Sequence, residues 1–215
     1  MRTKALIMAA AALAAGIVTS NAQVYSQNIV GYQTVPLTAG FTMVANQMDV
    51  DGTGTNNNIA TVMGTNLPNG TIVEAWNGAS FASTKWSASG QKWSASNGLI
   101  TNSMQPGVGF FVSSPVATNI TEVGNVLIGT NNLTITPGFQ VVSVTVPESG
   151  GIQTVFGYTP TKNDVVEVWN GTSFASHKWG GASWSGGGEP ILAPGEAVFL
   201  NAVGATNWTQ VFTNN

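Results

Sequence analysis

The local pattern of hydrophobic and polar positions in this chain is that of strands. Val73 and Ala75 alternate with Ile72, Glu74 and Trp76, and Val166 and Val168 alternate with Val165, Glu167 and Trp169, the period of two that puts successive side chains on opposite faces of a sheet. Both runs end in Asn-Gly, at Asn77-Gly78 and Asn170-Gly171. This is a strong hairpin signal, because a tight turn needs residues that tolerate positive φ. Phe110-Phe111-Val112 and Ala197-Val198-Phe199-Leu200 read as buried strands, each entered through Pro-Gly. Two short sets depart from this period. Ile59, Val62 and Met63, and Ile152, Val155 and Phe156, have i, i+3, i+4 spacing, which predicts one short helical turn apiece.

The parallel between these segments extends along the chain. Leu37-Thr38-Ala39-Gly40-Phe41 matches Ile135-Thr136-Pro137-Gly138-Phe139, and Val73 to Gly78 matches Val166 to Gly171. The match runs on through Ser80-Phe81-Ala82-Ser83 and Lys85-Trp86 against Ser173-Phe174-Ala175-Ser176 and Lys178-Trp179. Pro106-Gly107 and Ala117-Thr118-Asn119 then match Pro194-Gly195 and Ala205-Thr206-Asn207 in the same order. Collinearity of this kind is the mark of a duplicated unit. Copy 1 is longer between Phe41 and Ile59 and between Trp86 and Pro106, so both segments are expected to be surface loops, where added length costs little. The predicted fold is all-β: two tandem homologous β-barrel or sandwich units, with one short helical turn each, at residues 37–126 and 127–215. Each unit is near the lower size limit for an independent core, and packing one on the other would help both.

Val24 to Pro36, within an N-terminal strand segment at 23–36, stand before copy 1 as Gly124 to Thr134 stand before copy 2. Copy 2 ends at Asn215, where copy 1 continues into Asn125-Val126-Leu127-Ile128. The expectation is that the N-terminal strand closes copy 2, either within the molecule or in a neighbour. The second case is strand addition and would give a filament.

Residues 1–22 read as a secretory signal peptide. Arg2 and Lys4 precede an uncharged apolar run from Ala5 to Val18, and Ser20-Asn21-Ala22 supplies small residues for cleavage before Gln23. The run falls short of the roughly 20 apolar residues needed to span a bilayer. A secreted or cell-surface product without membrane insertion is the expectation.

Phe41-Thr42-Met43-Val44-Ala45 and Met104-Gln105-Pro106-Gly107-Val108-Gly109-Phe110-Phe111-Val112 resemble the extracellular β-domains whose copies begin "GWNLIS-P" and end "L-PGKGYWV". Such domains often occur in tandem in exported bacterial proteins. The opening Tyr25-Ser26-Gln27-Asn28-Ile29-Val30-Gly31-Tyr32 resembles a subgroup of small exported proteins of Verrucomicrobia-like bacteria. Phe41 stands for the family's Trp, and Val108 and Glu196 for its Lys. The resemblance implies a surface location and carries no catalytic residues.

Charge narrows the class further. Only 7% of the 215 residues are charged, against 43% hydrophobic. Without Arg2 and Lys4 the chain keeps Lys85, Lys92, Lys162 and Lys178 against nine acidic residues. Four lysines and no arginine neutralise few phosphates, so a nucleic-acid partner is not expected. The chain has no cysteine, which removes disulfides, thiol catalysis and Cys-ligated zinc.

Seven tryptophans offer the most distinctive candidate chemistry. Trp76 and Trp169, beside hairpin turns, are expected in the core, since aromatic area is what a small β core needs. Trp86, Trp93, Trp179 and Trp184 flank the variable loop and are the candidates for exposed stacking on a sugar. Glu74 and Glu167 are copy-equivalent, which gives two half-sites and no asymmetric acid and base pair. His177 is the one histidine, and no nucleophile elbow surrounds any serine. Gln47-Met48-Asp49-Val50-Asp51-Gly52 partly resembles a calcium loop, with Asp49 and Asp51 as ligands. However, Gln47 replaces the first acid and Asn58 the closing Glu, so a solvated turn is the competing reading. No other cofactor is expected. These features together predict a non-catalytic structural or adhesive protein of the cell surface or extracellular matrix, self-assembling or holding an extracellular polysaccharide. A carbohydrate-binding module using exposed tryptophans is the alternative.

Overall fold

The computed structural model describes residues 29–94 and 104–213; the leader expected at 1–22 lies outside them. The first half runs β1 (Val30–Leu37), β2 (Gly40–Ala45), α1 (Ile59–Met63), β3 (Ile72–Trp76), β4 (Phe81–Ser87), β5 (Lys92–Trp93), β6 (Gly109–Ser114) and β7 (Thr118–Asn125). The second runs β8 (Gly129–Ile135), β9 (Gly138–Val142), β10 (Gly150–Gly151), β11 (Val165–Trp169), β12 (Phe174–Lys178), β13 (Ile191–Leu192), β14 (Val198–Ala202) and β15 (Thr206–Phe212). The fold is all-β and sandwich-like, and among the described residues its antiparallel sheets close into no barrel.

Pairing follows one scheme in both halves. A five-stranded sheet β2-β6-β3-β4-β5 and the ribbon β1-β7 make the first half, and a four-stranded sheet β9-β14-β11-β12 and the ribbon β8-β15 make the second. The N-terminal strand therefore does not close copy 2. It pairs along its length with β7, from Val30 opposite Asn125 to Leu37 opposite Thr118, while β8 pairs with β15 from Gly129 to Ile135. Each half has its own first strand, and the register is fixed because Val35, Leu37 and Ile120 must all face inward.

Ribbon and sheet enclose a core in each half. Val35, Leu37 and Ile120 of the first ribbon meet Val44, Val73, Trp86, Phe110 and Val112 of its sheet. Ile135, Trp208 and Phe212 of the second ribbon meet Val142, Val166, Val198 and Leu200. Fully burying such side chains contributes about 1.5–3 kcal/mol each.

The hairpin turns form where Asn-Gly predicts them, with the two residues in different roles. Gly78 and Gly171 alone take positive φ, +98° and +100°. Asn77 Oδ1 instead accepts from the N–H groups of Ala79 (3.0 Å) and Ser80 (2.9 Å), and Asn170 Oδ1 does the same for Thr172 and Ser173. The side chain thus serves as a local acceptor that closes the four-residue loop.

Only one predicted helical turn becomes a helix. Ahead of α1, Asn58 Oδ1 accepts from Ala60 and Thr61 N–H, and Thr61 Oγ1 accepts from Asn58 N–H, forming a capping box. The equivalent segment after Gly151 remains a turn, closed by Val155 N–H on Gly151 O (3.1 Å) and Gly157 N–H on Gln153 O (3.2 Å). It follows directly on β10, whose glycines pair with β13. The amides of Gln153 and Thr154 are taken by Glu189, from far along the chain.

Candidate functional site: two clefts at an aromatic seam

The alternation that fills each core also leaves each sheet with a second face. In the first half this face carries Phe41 and Met43 (β2), Phe111 (β6), Trp76 (β3) and Phe81 (β4); in the second it carries Phe139, Val141, Phe199, Trp169 and Phe174. The two faces meet. Met43, Ala45, Phe111, Val141 and Ala197 form a third buried cluster, with Trp76, Trp169 and Phe199 packed against it. Around it the rings interlock across the halves: Phe111 meets Trp169 edge-on at 5.6 Å and Phe174 edge-on at 6.2 Å, Trp76 meets Phe199 edge-on at 5.2 Å, and Phe81 stacks with Phe199 at 6.2 Å. Such geometry adds to the area buried by aligning positive ring edges with negative faces.

Hydrogen bonds across the seam come in matched pairs. Ala45 N–H donates to Gly195 O, and Ser143 N–H to Gly107 O, both at 2.9 Å. Trp76 Nε1–H donates to Phe139 O (2.7 Å), and Trp169 Nε1–H to Phe41 O (3.1 Å). Val44 bridges Glu196 as Val142 bridges Val108. One pin lies off this pattern: buried Gln47 accepts from Gly195 N–H (2.7 Å) and donates to Ser143 Oγ (3.3 Å).

Close approach at the seam depends on Gly109. A Cβ there would lie 2.6 Å from both Ala197 Cβ and Val141 Cγ1, so only glycine lets β6 pass the facing strands unchanged.

A cleft opens on each side of the seam. The larger, about 650 Å³, is walled by Trp76, Phe81 and Phe139 and rimmed by Asn77, Ser80, Thr134, Thr136 and Gln140. The other, about 440 Å³, places Trp169 and Phe41 with Thr38, Thr42, Asn170 and Glu196. The first has no charged side chain in its lining. In the second, Glu196 Oε2 already accepts from Ala193 N–H (2.9 Å). Phe41 and Phe139 are 41% and 46% exposed, so ring surface is open at both clefts.

The tryptophans expected outside lie mostly inside. Trp86 (2% exposed) and Trp93 (8%) belong to the first core, and Trp184 (9%) to the second. Trp179 is half-buried against Trp184, at 5.3 Å. Cross-strand pairing is the reason: Trp86 stands opposite Trp93, and Trp179 bridges Trp184, so each pair packs inward together. Position beside a variable loop did not decide which face they take. Trp76 and Trp169, expected in the core, are the ones at the clefts.

Asp49 and Asp51 lie in the loop after β2. Asp49 accepts from Gly54 N–H (2.9 Å) and Asn57 Nδ2 (3.0 Å), and Asp51 from Thr53 N–H (2.9 Å) and Thr55 Oγ1 (3.1 Å). The Thr53 amide holds the Asp51 carboxyl below the usual carboxylate range. This is the geometry of the self-capped turn, and no group of three His, Cys, Asp or Glu suited to a metal occurs among the described residues. His177 Nδ1 lies 2.8 Å from Gly188 O.

No family model, curated protein or solved structure matches this chain.

Proposed function

We propose that this chain is a non-catalytic structural or adhesive protein of the cell exterior, exported through its N-terminal leader. The observation that supports the reading best is the duplicated seam. One chain carries matching aromatic clefts on either side of a pseudo-twofold axis, an arrangement suited to a connector that holds two things. An acid–base enzyme calls for one asymmetric constellation. Here Glu74 faces Ser83 and Phe111 across its strands, and Glu167 faces Ser176 and Phe199, each in its own sheet. Self-assembly by donation of the N-terminal strand loses its support, because β1 is paired within its own half.

Expressing the full chain in a secreting bacterium, then sequencing the N-terminus of the product, tests the reading. Protein in the medium or on the cell surface beginning at Gln23 is the expected result; retention inside the cell with the leader intact would overturn it. Light scattering and negative-stain microscopy of residues 23–215, over a concentration series with and without calcium, separate the two forms of the role. Filaments or sheets mark self-assembly, and a monodisperse monomer leaves adhesion to another polymer.

A further inference from the structure

We infer that the two seam clefts are saccharide sites, each taking a segment of an uncharged polysaccharide, so that one chain holds two segments at once. The inference rests on the adhesive reading and names its partner. It moves carbohydrate recognition away from Trp86, Trp93, Trp179 and Trp184, which are largely committed to the cores, to Trp76 with Phe139 and Trp169 with Phe41.

Three observations carry it. First, the lining pairs aromatic ring surface with amide and hydroxyl groups: Asn77, Ser80, Thr134 and Thr136 are exposed around Trp76 and Phe139. A sugar presents the complementary chemistry, with a C–H face that gains from leaving water against an aromatic ring and hydroxyls that need polar partners at its edge. Second, the larger cleft is uncharged and offers no counter-charge to an acidic or basic ligand, and the one acid of the smaller, Glu196, disfavours an acidic one. Third, the backbone where the halves meet is already used. Ala45 and Ser143 donate across the seam, and Val44 and Val142 form bridges there. A peptide adding as a strand would find these groups taken, which leaves recognition by side chains.

The walls are also set before any ligand arrives. Each indole N–H is held by a carbonyl of the other half, so the tryptophans need no reordering on binding.

The test uses purified residues 23–215 and uncharged hexasaccharides (cellohexaose, chitohexaose, xylohexaose and mannohexaose) in titration calorimetry. The expected result is binding of at least one of them at two sites per chain. Phe139→Ala should remove one site and Phe41→Ala the other, and the double variant should bind none, while Tyr32→Ala, at an exposed position that lines neither cleft, should bind as the parent does. Because a phenylalanine variant can loosen the seam, the parent chain is also followed by NMR. The indole N–H signals of Trp76 and Trp169 should move on titration and that of buried Trp208 should not. Lack of binding to every hexasaccharide, or binding that survives the double variant, would overturn the inference. Concentration-dependent dimers lost in the double variant would overturn it too, in favour of a second copy as the occupant. None of these outcomes depends on export, so the inference and the proposed function can fail separately.

Discussion

Where the last strand of the first half buries Glu122, the last strand of the second buries Gln210, and the two interiors answer the same need differently. Gln210 Oε1 accepts from Thr145 N–H (2.8 Å) and Thr145 Oγ1 (2.9 Å). Glu122, 2% exposed, accepts at 2.6 Å from Gln33 Nε2. Burial pushes its carboxyl up to about 7, against the smaller opposing effect of the bonds from Gln33 and the Gln47 backbone. One half therefore keeps a neutral amide and the other a titratable acid at matching places in their respective ribbons. Shared pairing fixes the scaffold, but each half settles its buried polar groups separately. The tryptophan pairs teach the same lesson, with Trp86 enclosed and its counterpart Trp179 half-open.

The largest effect is expected where the halves differ in enclosure. Trp86→Ala should cost about 3–5 kcal/mol and Trp179→Ala clearly less, read from urea unfolding of the two variants. Equal losses would show that the halves bury this pair alike.

Glu122 gives the next effect. Its folded pKa lies above the ordinary 4.5, so the folded state holds a proton that the unfolded state releases. Stability should be greatest below about pH 4.5, fall as pH rises towards 7, and level off above; the whole change is about 3 kcal/mol. Glu122→Gln should remove that slope in unfolding curves measured from pH 4 to 8, and a slope retained in the variant would assign it to another group.

Gly109→Ala should cost about 1–3 kcal/mol by forcing the strands at the seam apart. The reverse exchange at the matching position, Ala197→Gly, introduces no clash and should leave the Trp76 and Trp169 indole N–H signals in place. The smallest effect concerns the turn that becomes a helix only once. Asn58→Ala removes the capping box and should cost about 1 kcal/mol, visible as a lower thermal midpoint.

Strand character, the hairpin turns and the matching order of elements were legible because they rest on local alternation and on Asn-Gly. The face chosen by a tryptophan was not, because Trp86 and Trp93 are set by cross-strand partners. The Ile152 turn stops short of a helix even though Glu189 takes the amides of Gln153 and Thr154 as Asn58 takes those of Ala60 and Thr61, so the cap alone does not decide the outcome. The seam was hidden most deeply. Phe41, Phe81, Phe139 and Phe174 alternate like any strand residues, and only the meeting of two sheets shows that the outward positions are also used. The home of the N-terminal strand does not follow from where the copies end; the inward pattern of Val35 and Leu37 suits the adjacent ribbon with β7.

Both sides of the seam belong to one polypeptide, so its formation is an intramolecular event whose effective concentration does not fall when the protein is diluted. Two separate chains joined through the same surfaces would come apart as they spread into a large volume. The contacts are ring edges, backbone bonds and small apolar side chains, which ionic screening barely touches. The fused arrangement therefore holds its two clefts at a fixed spacing in dilute or salty surroundings alike.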